Sequence, residues 1–223
     1  TAHWTILLNW FPMTIQKGRY SAGLMSESFW FHEFKQVVKL RAEGLTQDEI
    51  KVKCINENLF GYAKEYRLNR VVGYILMRVH SMDEILTNIF MNSDIQTQKL
   101  INLITILRKD RLFFEFIYEV YREKVMIGVP TMEIQDVNVL FSRKESQNEE
   151  VASWKESTKK HLRANYLNFM ADANLLTVSN KKRTITPPLM DASLEYYLKI
   201  YGESDITKAI MGAYDGFVGT TTW

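Results

Sequence analysis

Residues Ser153–Pro188 constrain the fold most: a lysine-rich helical stretch, two short β-like runs, and a basic turn between them. Ser153-Trp154-Lys155-Glu156 has the form of a capping box, in which the serine hydroxyl and the glutamate carboxylate satisfy the free N–H groups of a helix start. Leu162, Tyr166, Phe169, Met170 and Ala173 then recur at three- and four-residue spacing, which predicts one buried stripe. Ser157, Lys160, Ala164 and Asn168 fall on another face. Asn174 suits the left-handed conformation that ends a helix. Leu175–Val178 and Arg183–Thr186 read as strands around Ser179-Asn180-Lys181-Lys182, and Pro187-Pro188 stops the second strand. Helix followed by hairpin is the order of a winged helix-turn-helix.

Charge sharpens that reading. Between Ser153 and Arg183, seven lysines and arginines stand against Glu156 and Asp172, a local +5 in a chain whose formal total is +2. A basic helix face with a basic hairpin tip suits a polyanion, and double-stranded DNA is the polyanion that takes a helix in its major groove and a wing along its phosphates. The residues expected to touch it are Lys155, Ser157, Lys159, Lys160, Arg163, Asn168, Lys181, Lys182 and Arg183. Arg163 and Asn168 are the two suited to base edges. The competing reading is a solvated helix and hairpin with no nucleic-acid role, in a protein that docks other proteins through aromatic positions such as Trp154 or Tyr197.

The rest of the chain is mainly helical in pattern. Helices are expected over Ser26–Glu43, from the Thr46–Glu49 capping box through Ile50, Cys54 and Ile55 to a break at Asn56–Gly61, and over Ala63–Val79, Met82–Met91, Ile95–Lys109 and Arg111–Ile127. The turn at Glu43-Gly44-Leu45 resembles the first part of a helix-turn-helix, and Lys64, Arg67 and Arg70 near the start of the next helix are secondary candidates for DNA contact. Gly128-Val129-Pro130-Thr131 marks a boundary between an N-terminal helical domain, 13–128, and a C-terminal winged-helix domain, 129–223. The latter opens with a helix over Met132–Ser142, followed by a loose polar stretch, Arg143–Glu150. After the wing come helices over Leu189–Tyr201 and Ile206–Ala213, and a tail from Val218. Residues 1–12 read as an upstream-start or non-native extension, with Met13 as the native start.

Several functions are disfavoured. At 223 residues, 46% hydrophobic and 24% charged, the composition is that of a globular protein. Cys54 has no partner, which points to the cytoplasm, and no run reaches the roughly 18–20 apolar residues of a membrane span, so membrane insertion is not expected. No phosphate-binding glycine loop is present. His3, His32, His80 and His161 lack metal-ligand spacing, so no metal and no cofactor is expected. Glu33-Phe34-Lys35 and Glu49-Ile50-Lys51 lie within helices without the converging carboxylates that metal-assisted cleavage needs.

Arg19-Tyr20-Ser21-Ala22-Gly23-Leu24, Glu43-Gly44-Leu45 with Glu49-Ile50, Asn58-Leu59, and Ser153-Trp154-Lys155-Glu156-Ser157-Thr158-Lys159-Lys160 followed by Ala173-Asn174-Leu175-Leu176 resemble the BrxA family over Lys17–Tyr201. That resemblance implies a non-enzymatic, mostly helical protein that binds double-stranded DNA within the bacterial BREX system, which protects against phage and marks host DNA by methylation. It also implies other BREX proteins as partners and a nucleoid-associated place in the cytoplasm. Members often carry an inner-membrane label, which the absence of a spanning segment in this sequence opposes.

Overall fold

Side-chain caps and left-handed glycines set most element boundaries in the computed structural model, which describes residues 18–212. The expected extension at 1–12 and the tail from Val218 lie outside them. Helix α1 spans Phe31–Ala42, α2 Gln47–Asn56 and α3 Glu65–His80. Gly44, at φ 95°, makes the turn between α1 and α2, and Thr46 forms the expected capping box with Glu49. Val71, Val72 and Ile75 of α3 bury against Phe34, Val37, Val38, Ile50 and Cys54, and burial pushes the Cys54 thiol up to about 11. Cys54 therefore packs as a small core hydrophobe.

The first helix does not begin at Ser26. Gly23–Ser26 makes one 3-10 turn, residues 27–29 are not helical, and Trp30 takes φ 46° before α1 starts. The cause lies on α3. The guanidinium of Arg78, with its side chain fully buried, needs acceptors, and it takes Glu27 Oε2 at 2.9 Å, the Ser28 carbonyl at 2.8 Å and the Phe29 carbonyl at 2.9 Å. Asn102 donates to the same Phe29 carbonyl at 2.8 Å, and Lys109 pairs with Glu27 at 2.7 Å. Residues 19–30 thus form a strap pinned across the core.

Helix α4 (Glu84–Asn92) is capped by Asp83 and α5 (Ile95–Lys109) by Asp94. From Leu100 to Leu107 every residue of α5 is buried, so it is the axis of the core. Asp110 then caps α6 (Arg111–Phe116), which continues through a π-helical turn, Ile117–Tyr121, into α7 (Arg122–Met126). The expected helix over Arg111–Ile127 is continuous but widened at its middle, where a later helix packs.

Past Gly128, residues Pro130–Met132 run beside the hairpin. Then come α8 (Ile134–Gln147), α9 (Glu149–Ser153), α10 (Glu156–Asp172), β1 (Leu176–Ser179), β2 (Lys182–Ile185), α11 (Ala192–Ile200) and α12 (Ser204–Met211). The strands pair antiparallel with Leu176 opposite Ile185, and Thr131 bridges to Thr184 on the other side of β2. Bridge, helix, short helix, helix and hairpin follow the order of a winged helix-turn-helix, with the hairpin in the place of the wing.

Two expectations fail here. Arg143–Glu150 is not loose, because Lys144 pairs with Glu115 at 2.6 Å and Glu119 at 2.8 Å, and Arg143 pairs with Glu119, which hold α8 helical to Gln147. Burial alone would raise the Glu115 carboxyl, but donation from Lys144, Arg111 and Tyr20 keeps it below its ordinary value. Nor does Ser153 cap a helix. Asn148 accepts from Val151 N and starts α9 five residues earlier, so Ser153 ends that helix and its hydroxyl donates to the Glu150 carbonyl at 2.7 Å.

One cluster of buried hydrophobic side chains extends from Tyr20 to Ile210. Helix α10 packs on α5, α11 on α4, and α12 on the π-turn and α7, so elements on both sides of Gly128 share it.

Asp110 supplies a stability test. Burial pushes its carboxyl up to about 7, opposed by the Phe113 N–H it accepts and reinforced by the charge of Glu27. An unfolded aspartate ionises near pH ~4, so the folded state binds more protons between about 4 and 7, and stability falls as pH rises through that window. Asp110→Asn keeps the cap acceptor and removes the charge. Thermal denaturation should therefore show a flatter pH dependence from about pH 4 to 8, with Asp110→Asn at least as stable as the parent above 7. Asp110→Ala should instead lose about 1 kcal/mol with the cap. An Asn variant that tracked the parent's decline would show that Asp110 is not its source.

Candidate nucleic-acid interface

Aromatic packing positions α10. Tyr166 lies 4.8 Å from the ring of Phe113, 5.7 Å from Phe116 and 5.8 Å from Phe141, and Leu162, Phe169, Met170 and Ala173 complete the expected buried stripe. Offset rings of this kind add about 0.5–1.5 kcal/mol per pair to their burial, so the helix axis is firmly held. Its opposite face leaves Lys155, Ser157, Lys160, His161, Ala164 and Asn168 exposed. At its C-terminal end Asn174 takes φ 61° as expected, with its amide donating to Gln96 Oε1 at 2.6 Å.

The hairpin turn is tight and basic. Asn180 at φ 49° and Lys181 at φ 63° form the left-handed pair that a two-residue hairpin requires, and asparagine is a residue that tolerates it. Lys181 and Lys182 are exposed at the tip, whereas Arg183 is half-buried and its carbonyl accepts Met132 N at 3.0 Å.

Two of the sequence candidates turn inward. Lys159 is 6% exposed and pairs with Glu145 at 3.0 Å. Arg163 pairs with Glu156 and lies 5.6 Å over the Phe141 ring. Their positions carried a signal that the charge count hid: Lys159 and Arg163 sit seven and three residues before Tyr166, on the edge of the apolar stripe. The cations that α10 and the hairpin tip present are Lys155, Lys160, Lys181 and Lys182, and none of the four makes an ion pair among the described residues.

A second basic surface stands at the start of α3. Lys64, Tyr66, Arg67, Asn69 and Arg70 are all exposed over its first two turns. Arg67 stacks 4.9 Å over Tyr62, which is itself fixed by two 3.0 Å hydrogen bonds to Asn58 and by donation to Glu33 at 2.8 Å. Glu33 and Glu49 thereby serve a tyrosine and a helix cap. Tyr66 and Asn69 were missed by a reading based on charge alone. The aromatic expectation also shifts: Tyr197 is 1% exposed and Trp154 half-buried, while Tyr196, one residue away, is 67% exposed.

Among the described residues no three His, Cys, Asp or Glu side chains converge as a metal site, and no helix is long and apolar enough to cross a membrane.

These features define a mainly helical protein with basic helix faces at two helix-turn-helix-like units, the second followed by a wing-like hairpin. The chain belongs to the BrxA family, which matches residues 18–201, in agreement with the resemblance seen over Lys17–Tyr201. It is 31% identical over 193 residues to a "BREX protein BrxA" of Bacillus cereus (strain H3081.97), an alignment covering 86% of this chain and 96% of that protein. The crystal structure of an uncharacterized protein from Magnetospirillum magneticum has the same fold, with a TM-score of 0.73 at 17% identity over 88% of this chain and all of the other.

Proposed function

We propose that this protein is a non-catalytic, double-stranded-DNA-binding accessory of a BREX phage-defence system, acting in the cytoplasm at the nucleoid. The observation that carries the reading is the four exposed lysines, Lys155, Lys160, Lys181 and Lys182, on the free face of α10 and the hairpin tip beyond it. Lysines on a helix face and wing neutralise phosphates and carry little base information, so binding is expected to be strong at low salt and weakly sequence-selective. Titrating a duplex probe at several salt concentrations tests this. Four phosphate contacts give a slope of log affinity against log salt near about −3.6, and flat affinity across salt would defeat the reading.

Exposed Leu189, Tyr196 and Ile200 (90%, 67% and 55%) favour a second role beside the first, docking of another BREX protein on α11 and the segment before it. A nuclease-resistant pull-down that Tyr196→Ala abolishes would support it.

A further inference from the structure

The hairpin leaves the sheet with one open edge. The Leu175 carbonyl accepts Thr186 N at 2.9 Å, so hydrogen-bonded pairs alternate from there, and Thr177 with Thr184 and Ser179 with Lys182 turn their backbone groups toward each other. Leu176 and Val178 on β1, like Arg183 and Ile185 on β2, therefore turn theirs outward. On the β2 side that edge is taken, because the Arg183 carbonyl accepts Met132 N at 3.0 Å and Ile185 N donates to the Pro130 carbonyl at 2.9 Å. On the β1 side the N–H and C=O groups of Leu176 and Val178 have no partner among the described residues. Leu176 is held in the core, whereas Val178 is 54% exposed and Thr177 and Ser179 are exposed beside it. The tip, with exposed Lys181 and Lys182, stands at one end of this edge.

We infer that the free edge of β1 is a docking site for an extended, acidic peptide segment of a partner protein, which adds to the sheet as a strand beside β1. In such strand addition the backbone pairing supplies affinity, and side chains at alternate positions supply selectivity. A segment paired here satisfies the outward groups of Leu176 and Val178, repeating on β1 what Pro130–Met132 do on β2. Charge identifies the occupant. Opposite charges across neighbouring strands attract by about 0.2–1 kcal/mol per pair, so carboxylates at the end nearest the tip meet Lys181 and Lys182, neither of which makes an ion pair among the described residues. Strand β1 itself carries no carboxylate, so a second copy of it would leave those lysines unanswered. Val178 and Thr177 favour β-branched residues at the alternate positions of the segment. Docking of this kind needs no nucleic acid, so it stands or falls separately from DNA binding.

The test uses the full, isotope-labelled chain without DNA, and the blocked peptide Asp-Asp-Thr-Val-Thr-Val-Asp-Asp as the probe. With peptide bound, hydrogen exchange of the Val178 amide should slow at least roughly tenfold. The same peptide N-methylated at alternate residues keeps its charge but cannot pair as a strand, so it should bind at least roughly tenfold more weakly. Val178→Pro removes an N–H that faces away from β2, a change an edge strand tolerates, and should abolish docking with unchanged circular dichroism. Lys181→Glu/Lys182→Glu should weaken docking by about tenfold. Equal affinity for the two peptides would overturn the inference, because charge alone would then explain the attraction. Peptide binding that a folded Val178→Pro variant retains would overturn it as well. Protection of Val178 that rises with protein concentration in the absence of peptide would place a second copy on the edge, against the inference. So would β1 amides that do not respond to millimolar peptide.

Discussion

Changing Lys160, Lys181 and Lys182 together to glutamate should reduce duplex affinity by roughly 10²–10³-fold near 0.1 M salt and lower the salt slope by about 2.7, three contacts at 0.9 each. All three side chains are exposed and make no ion pair among the described residues, so the reversal removes attraction without leaving a buried partner. Surface substitutions of this kind usually change stability by no more than about 0.5 kcal/mol, which separates a binding defect from unfolding. Lys159 supplies the opposite control. Its ammonium is committed to Glu145 on α8 and is 6% exposed, so Lys159→Met should disturb the α8–α10 contact and thermal stability while leaving the salt slope within experimental error. A binding defect from Lys159→Met as large as from the triple reversal would mean that the ion pair opens on DNA.

The contrast between Lys159 and Lys160 shows where the sequence was legible. Local chemistry was readable: Thr46 with Glu49, Asn174 in the left-handed conformation, and the Asn180-Lys181 turn each depend on a few neighbouring residues. The buried stripe of α10 was readable because its period is intrinsic to a helix. What could not be read depends on residues distant in sequence. The stripe edge marked Lys159 and Arg163 as able to turn inward but not the distant groups that receive them, Glu145 and the Phe141 ring, and residues 27–30 leave the helix because Arg78, about fifty positions later, takes the carbonyls of Ser28 and Phe29. Ser153 shows the limit of a local motif, since Asn148 offered a competing cap earlier in the chain. The boundary at Gly128 was legible as a turn, but sequence punctuation says nothing of packing, and the core crosses it.

The same strap gives the largest expected effect on stability. Glu27 is the shared anion of Arg78 and Lys109, and its side chain is 1% exposed. Glu27→Ala would leave the Arg78 guanidinium buried with only the Ser28 and Phe29 carbonyls, and removing one partner of a buried pair typically costs about 3–5 kcal/mol. For a chain of this size that corresponds to a fall in Tm of roughly 6–20 °C. Arg78→Met should cost less, because Glu27 keeps Lys109, whose side chain is 36% exposed, and the Phe29 carbonyl keeps Asn102. The double variant Glu27→Ala/Arg78→Met should therefore be more stable than Glu27→Ala alone, since the uncompensated cation is gone. Denaturant titration of the three variants decides it: a double variant with the summed loss of the singles would mean that the ion pair is not what holds the strap.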